Sequence, residues 1–279
     1  FLSPQYDRDL HDPFLFFYFE RVVERIGSSL KRNEVIGIFG DYDADGVTSS
    51  VVMREAIQIL GGRVAVYIPQ KDTEGHGLNT RALDFFTRQG ARLIMTLDCG
   101  MMNHEEIHEA HMLGLDAIII DHDHVPGVLP SAYAIINPKL HGETYPFRDL
   151  CGAGTAFKVA QALFRRFIPD HEDQAKWLLD IVATGTVADV MPLVGENRVL
   201  VTYGLIVLSR TKRVGFQEMF RVGRMPFSLE KKPSARDIAF QIAPRINAAS
   251  RMAHAMLAHD LLMESDADRA NKLALELED

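Results

Sequence analysis

Three aspartates on alternate positions, Asp41, Asp43 and Asp45, follow an apolar run in the segment "IFGDYDADGVTSS" (38–50). Carboxylates this close raise one another's pKa and repel when they are ionised. A bound metal, another cation or solvent would have to offset that repulsion. Taken alone, the pattern is as typical of a calcium loop or a solvated turn as of a catalytic centre. No Glu follows Gly46 at ligand spacing, which argues against a calcium loop.

Acidic and imidazole side chains also follow two later apolar runs and one apolar helix. They are Asp98, Asp121, His122, Asp123, His124 and Asp189. Ligands of an open parallel sheet bind beyond the carboxyl ends of its strands, so we expect these groups to share one rim. Carboxylates mixed with imidazole suit Mn²⁺ or Mg²⁺, and two such ions sharing one Asp stabilise the oxygens of a phosphoryl displacement. His76 and His104 are expected to be ordinary surface or helix residues.

The elements that must position these groups alternate between strand and helix. Strands are predicted at 34–39, 63–69, 91–97 and 115–121, and helices at 47–60, 79–90 and 103–114. Asn79 is expected to cap its helix, and Asn103 with Glu106 has the spacing of a capping box. This alternation predicts an α/β fold with a doubly wound, mainly parallel sheet and flanking helices. The later chain reads as helical at 154–167, 172–188, 197–210, 238–252 and 266–279, the last being the start of a linking helix.

Composition narrows the functional class only slightly. The chain has 279 residues, is 47% hydrophobic and 24% charged, and has a net charge of −8. An acidic balance does not indicate a nucleic-acid-binding protein, although it does not exclude a local basic groove. Two cysteines and no apolar run of about 18–20 residues predict a cytoplasmic protein without a membrane span.

The motifs "DYDADG", "DCG", "IDH" and "GTVADV", in this order, resemble the DHH phosphoesterase superfamily. The segments "EGHGLN", "AIINPK", "YPFRDLCGAGTAFK" and "APRINAASRM" are similar to RecJ-type single-strand-specific exonucleases. The resemblance implies an exonuclease that acts 5′→3′ on single-stranded DNA in repair and recombination, with Mn²⁺, in two ions, as cofactor and Mg²⁺ as the alternative. Carried over by position, the metal ligands are Asp43, Asp45, Asp98, His122 and Asp189. Asp98 is the bridging ligand, and Asp41 and Asp121 are expected to orient the ligands.

One departure from the family signature concerns catalysis. The signature is Asp-His-His, and its second histidine faces the scissile phosphate, whereas this chain has Asp123 there and His124 one place later. An ionised Asp cannot donate a hydrogen bond and adds negative charge beside an anionic substrate. Either Asp123 is accommodated and His124 reaches the scissile phosphate, or the enzyme is weakened. The expected catalytic residues are Asp98, His122, Asp123 and His124.

The remaining expectations concern the substrate, partners and extent of the chain. Phosphate contacts are expected from Lys71, Arg245, Asn247 and Arg251. We expect a monomer that acts on single-stranded DNA, with a single-strand-binding protein or helicase as possible partners. Residues 1–222 are expected to form the catalytic domain and 223–279 the connecting segment and linking helix. The last helix has no Gly or Pro stop, and RecJ-like proteins continue into DHH-associated and OB-type domains, so a longer protein is expected.

Two alternative functions remain open on the sequence alone. A DHH hydrolase of small substrates, such as cyclic dinucleotides or short oligonucleotides, would use the same ligands. A degenerate DHH module serving as a scaffold would explain the loss of the second signature histidine. Retention of all five expected ligands argues against the scaffold, because a cluster of acids is costly to keep without a cation.

Overall fold

The structure, a computed structural model, describes residues 3–227, 231–249 and 255–278. Its centre is a sheet of five parallel strands in the order β2-β1-β3-β4-β5. The strands are β1 Val35–Gly40, β2 Arg63–Tyr67, β3 Ala91–Leu97, β4 Asp116–Ile120 and β5 Ala134–Ile136. The predicted α/β fold with a doubly wound parallel sheet is therefore confirmed.

Helices cover both faces of the sheet and form the later part of the chain. The α-helices are α1 Tyr6–Asp9, α2 Phe19–Lys31, α3 Ala44–Ile59, α4 Lys71–Glu74, α5 Thr80–Arg88, α6 His104–Met112, α7 Gly152–Phe167, α8 Leu179–Ala188, α9 Gly195–Leu208, α10 Val214–Val222, α11 Ala235–Asp237, α12 Ala243–Ala249, α13 Ala255–Met263 and α14 Ala267–Glu278. Two 3₁₀ segments, Pro13–Leu15 and Pro169–Leu178, and one π-helical segment, Ile238–Ile242, complete the elements.

Both faces of the sheet are buried, which explains why its strands read as continuous apolar runs. Ile36 and Ile38 of β1 face a large core shared with α2, α3, α7 and α8. Val35 and Phe39 of the same strand face a smaller core shared with α5 and α6. In the described part of the chain, no helix has both the length and the apolar character needed to cross a membrane.

Local differences from the sequence prediction have identifiable causes. Helix α3 begins three residues earlier than predicted, because the Asp43 side chain accepts hydrogen bonds from the first-turn amides of Asp45 and Gly46. The prediction of a capping box at Asn103 is wrong, because its side chain makes no capping hydrogen bond to α6. Its Oδ1 atom accepts from the amide of Leu78, and Nδ2 donates to the carbonyl of Leu78 and to Glu106. Asn79 does cap α5, as predicted, by accepting from Ala82.

The predicted helix at 172–188 is also two elements rather than one. A 3₁₀ segment runs to Leu178 and the α-helix begins at Leu179, with a non-helical break at His171. The short strand β5 and the π-helical segment were not predicted. The proposed division of the chain at residue 222 stays a prediction.

Candidate metal centre

The acidic residues lie where the strand order reverses. Asp41, Asp98 and Asp121 directly follow the last residues of β1, β3 and β4, which are adjacent in the sheet. The chain leaves β1 towards β2 on one side and returns to β3 on the other, so the connections diverge between β1 and β3. That divergence opens a crevice at the carboxyl ends of the strands, the usual ligand position in such sheets.

The start of helix α3 holds the second and third aspartates of the first motif. Oδ1 of Asp43 accepts from the amides of Asp45 and Gly46, both at 3.0 Å. The amide of Ala44, between the two aspartates, donates to Oδ1 of Asn247 at 2.7 Å. A residue about 200 positions later along the chain therefore fixes the turn that carries Asp43 and Asp45.

Asp45 is held by the N-terminus of a second helix, α7. Its two carboxylate oxygens accept from the amides of Gly152 (2.6 Å) and Ala153 (2.9 Å). A Cβ atom at Gly152 would lie 2.9 Å from Oδ1 of Asp98, so the absence of a side chain there permits the close approach. The partial positive charge of a helix N-terminus favours a carboxylate at this position.

His122 lies among three carboxylates from different parts of the chain. Its Nε2 atom is 3.0 Å from Oδ1 of Asp98, 3.5 Å from Oδ2 of Asp189 and 3.6 Å from Oδ2 of Asp45. The other ring nitrogen, Nδ1, is buried and has no hydrogen-bond partner within residues 3–227, 231–249 and 255–278. His122 thus presents one nitrogen to a site that three carboxylates also face.

Two groups of side chains could each hold a metal ion, and Asp98 belongs to both. One group is Asp45, Asp98 and His122; the other is Asp41, Asp43 and Asp98. Within each group, one ligand atom per residue lies within 4.8 Å of the others. Oxygen donors with one imidazole fit Mn²⁺ or Mg²⁺. The structure therefore brings together four of the five predicted ligands around Asp98, with Asp189 beside His122.

Burial and mutual repulsion disfavour the ionised form of the carboxylates in this cluster when no cation is bound. Burial, followed by the charges of Asp45 and Asp43, raises the pKa of Asp98 well above its ordinary value. Burial also raises the pKa of Asp45, against the opposing effect of His122. For Asp189, burial and the charge of Asp45 raise the pKa to about 7. A divalent cation would reverse these shifts by favouring the ionised forms.

Asp41 and Asp121, which were predicted to orient the ligands, each contact neighbouring groups of the site. Oδ1 of Asp121 accepts from the amides of His122 (2.7 Å) and Asp123 (3.0 Å), which sets the direction of the chain after β4. Oδ2 of Asp41 lies 3.0 Å from Nδ1 of His76. A carboxylate oxygen of Asp41 also lies within 4.8 Å of carboxylate oxygens of Asp43 and Asp98, so Asp41 could itself bind a metal ion.

His76 is the residue of this site that sequence reasoning missed. It was expected to be an ordinary surface residue, but its hydrogen bond with Asp41 raises its pKa, and burial opposes that rise. Asp123 and His124 are exposed, and with His76 they line a cavity of about 320 Å³ next to the acidic cluster. The one available signal was the motif "EGHGLN" (74–79), which contains His76 and lies between the strand predicted at 63–69 and the helix predicted at 79–90. His104, in contrast, is the first residue of α6, as expected.

The predicted phosphate-binding residues have different surroundings. Lys71 is exposed, and its Nζ atom lies 5.1 Å from the centre of the Tyr42 ring, on the rim beside the cluster. Arg245 instead forms a two-pronged ion pair with Glu278 at 2.6 and 2.7 Å, which phosphate would have to displace. Asn247 uses its carbonyl oxygen to bind Ala44. Arg251 lies outside the described residues.

Comparison with known proteins identifies the family of this chain. The model of the DHH family, N-terminal domain, matches residues 35–186, which contain β1 to β5 and all the expected ligands except Asp189. The chain belongs to the DHH family. Its cluster at the carboxyl ends of β1, β3 and β4 is accordingly a feature of a DHH domain, and the predicted superfamily is confirmed.

Relatives within this family are RecJ exonucleases. The chain is 42% identical to the single-stranded-DNA-specific exonuclease RecJ of Bacillus subtilis (strain 168) over 273 residues, 98% of this chain and 33% of that protein. A crystal structure of exonuclease RecJ bound to manganese superposes with a TM-score of 0.83 at 31% identity, covering 99% of this chain and 66% of the other. The complex of RecJ from Thermus thermophilus with Mg²⁺ has a TM-score of 0.69 at 28% identity, covering 94% and 34%. The chain spans about a third of the length of its Bacillus relative.

Proposed function

We propose that this chain forms the catalytic part of a divalent-metal-dependent exonuclease that removes nucleotides from the 5′ end of single-stranded DNA. The observation that carries the proposal is the position of Asp98 in two adjacent groups of metal-binding side chains. The similarity to RecJ proteins over 98% of the chain supports the substrate. A role in DNA repair and recombination is part of the proposal and rests on the similarity to RecJ proteins.

The side chains present fit divalent ions in number, chemistry and environment. Asp45, Asp98 and His122 would hold one ion with Asp189 beside them, and Asp43 and Asp98 would hold a second. Oδ1 of Asp41 is buried and has no hydrogen-bond partner in the described ranges, which fits an oxygen that would face a cation. When bound, Mn²⁺ or Mg²⁺ would activate water and stabilise charge on the phosphoryl oxygens.

The protein's own contribution is to fix the ligands and to offer a positive charge to the strand. Helix N-termini of α3 and α7 hold Asp43 and Asp45 in place through backbone amides. Asp121 directs His122 towards Asp98, and Lys71 provides a positive charge on the rim, where a phosphate of the strand would pass. Because phosphate contacts carry no sequence information, this arrangement predicts cleavage without base preference.

Degradation of defined substrates tests the proposal. A single strand of about 60 nucleotides, labelled at its 3′ end, should shorten progressively from the 5′ end in Mn²⁺, while a blunt duplex should remain intact. The matched pair of variants is Asp98→Asn, which should be inactive, and Asp84→Asn, an exposed helix residue outside the site, which should be active. Faster cleavage of two-to-five-nucleotide substrates or cyclic dinucleotides than of the long strand would contradict the proposal.

The scaffold alternative is tested separately by metal binding. A folded protein that binds no Mn²⁺ by calorimetry would be a scaffold, whereas the proposed enzyme binds Mn²⁺ and loses at least one bound ion in Asp98→Asn. The monomeric state, a cytoplasmic location, and a single-strand-binding protein or helicase as partner stay predictions.

A further inference from the structure

His76 is an imidazole fixed at the edge of the acidic cluster by its hydrogen bond with Asp41. Its Nδ1 atom lies 3.0 Å from Oδ2 of Asp41, and 52% of its side chain is exposed. Asp41 itself is buried and follows β1 directly. The imidazole is therefore anchored to the centre through one nitrogen while much of the ring remains accessible to a ligand.

The accessible part of His76 borders a cavity of about 320 Å³, which is within the range of small-ligand sites. Asp121, Asp123 and His124 line the same cavity, as do the residues at 100–103 that follow β3. Because Asp121 follows β4, this cavity lies at the carboxyl ends of the strands, beside the carboxylates that would hold the metal ions. A nucleotide at the scissile end of the strand would be expected here.

An anionic nucleotide entering this cavity meets two carboxylates, so it needs hydrogen-bond donors. The second histidine of the Asp-His-His signature would be one, but Asp123 occupies that position and cannot donate when ionised. His76 is close at hand, since it lines the cavity together with Asp123. When both ring nitrogens of His76 carry a hydrogen, as in the protonated imidazole, Nε2 can donate to a ligand while Nδ1 donates to Asp41.

His76 also contacts the ring of Tyr42, which Lys71 contacts as well. The ring of Tyr42 meets the His76 ring edge-on with 6.4 Å between centroids, and the Lys71 ammonium lies 5.1 Å from the same Tyr42 ring. Lys71 and His76 therefore share one aromatic neighbour on the rim. A strand whose phosphate passes Lys71 would present its next groups close to His76.

We propose that His76 is a substrate-binding residue of this centre, contacting the nucleotide at the scissile end through Nε2 and supplying the imidazole contact that Asp123 does not make. The inference rests on the proposed nuclease function. It assigns the imidazole of His76, from the loop between α4 and α5, to the place where the family signature has an imidazole from the segment after β4, which is Asp123 in this chain.

Two substitutions separate substrate contact from mere support of Asp41. His76→Ala removes both ring nitrogens, whereas His76→Asn keeps an amide NH that can bind Asp41 but has no atom in the place of Nε2. Each is made alone and together with Asp123→His, and His108→Ala, an exposed helix histidine, is the matched control. The readouts are kcat and KM on single-stranded DNA, Mn²⁺ stoichiometry by calorimetry, and the melting temperature.

The proposal predicts a specific pattern across these variants. His76→Ala and His76→Asn should each lower kcat at least about tenfold, a modest value for removing a group that contacts the reacting phosphate. Mn²⁺ stoichiometry and the melting temperature should remain those of the parent protein. Asp123→His should restore most of the activity lost in His76→Ala, because it returns an imidazole to the same place. His108→Ala should match the parent protein throughout.

Three results would overturn the inference, and they differ from failure of the proposed function. If the parent protein degrades DNA and His76→Ala does so equally well, His76 does not contact the substrate. If His76→Asn has full activity, or if His76→Ala loses a bound Mn²⁺, the residue acts only through Asp41. If the parent protein neither binds Mn²⁺ nor cuts DNA, the proposed function itself fails, and the inference fails with it.

Discussion

Nε2 of His122 lies 3.0 Å from Oδ1 of Asp98, although the two residues follow different strands. The parallel pairing of β3 with β4 places Leu97 beside Ile120, so the residues that follow these strands emerge side by side. A left-handed backbone at Asp98, with φ of 61°, turns the chain at this point. The sheet register and one backbone turn thus bring the imidazole and the shared carboxylate together.

Asp98→Asn should abolish function and stabilise the metal-free protein. Asparagine has the same shape and tolerates a left-handed backbone, but it removes a buried charge whose pKa is raised by burial and by neighbouring carboxylates. We expect Mn²⁺-dependent cleavage to fall at least about 100-fold, beyond the typical effect of residues that only support metal ligands. The melting temperature without metal, measured by differential scanning calorimetry, should rise.

The control for that experiment is the exposed residue Asp84 on α5. Asp84→Asn should change neither the melting temperature nor the cleavage rate. A metal-free Asp98→Asn protein that melts below the parent would show that the cluster does not store electrostatic repulsion.

Asp123→His should raise the rate of nucleotide release. The substitution removes a negative charge from the cavity and restores the second histidine of the signature, which can donate to a phosphate oxygen. Asp123→Asn removes the charge without adding an imidazole, so its rate should lie between those of the parent and Asp123→His. Single-turnover measurements at saturating Mn²⁺ provide the comparison, and an unchanged or slower Asp123→His enzyme would refute the prediction.

Asn247→Ala should weaken metal binding from a distance. Loss of the side-chain oxygen leaves the amide of Ala44 without that acceptor, which costs about 1–3 kcal/mol for a buried group. The turn that carries Asp43 and Asp45 should then hold its geometry less well, and Mn²⁺ affinity should fall about tenfold in calorimetry. Asn247→Asp keeps an acceptor for Ala44 and should retain more of the affinity. Equal affinities for the parent and Asn247→Ala would exclude this positioning role.

The stability of the metal-free protein should fall with rising pH because of Asp189. Its pKa is raised from 3.8 to about 7, chiefly by burial. Between these values the folded protein keeps a proton that the unfolded chain has lost, so raising the pH favours unfolding. Urea unfolding at pH 5 and at pH 7.5 should show a smaller decrease in Asp189→Asn than in the parent protein. Equal decreases in the two proteins would show that Asp189 does not titrate in this window.

The strand ends of this site could be predicted from sequence because the signal is local. Each buried strand is an apolar run, and Asp41, Asp98 and Asp121 each follow such a run directly. Parallel strands place these ends on one rim, so the meeting of the carboxylates follows from the class of fold. Asp189 was found in the same way, at the end of the apolar helix α8.

The contacts between distant segments could not be predicted, because no local pattern encodes them. Asp45 depends on the amides of Gly152 and Ala153, backbone groups that any sequence possesses. His76 comes from the loop between α4 and α5, and only the folded chain shows that it binds Asp41. The ion pair of Arg245 with Glu278 is a further case, since the position of Arg245 in a motif does not reveal the acid packed against it, and its phosphate contact stays a prediction.

Diffraction from crystals soaked in Mn²⁺, recorded near the manganese absorption edge, tests the central claim most directly. The account predicts two anomalous peaks, both within coordinating distance of Asp98, one beside Asp45 and His122 and the other beside Asp43. The same crystals of Asp98→Asn should lose at least one of these peaks. Peaks confined to surface carboxylates, with none beside Asp98 in the parent protein, would contradict the account.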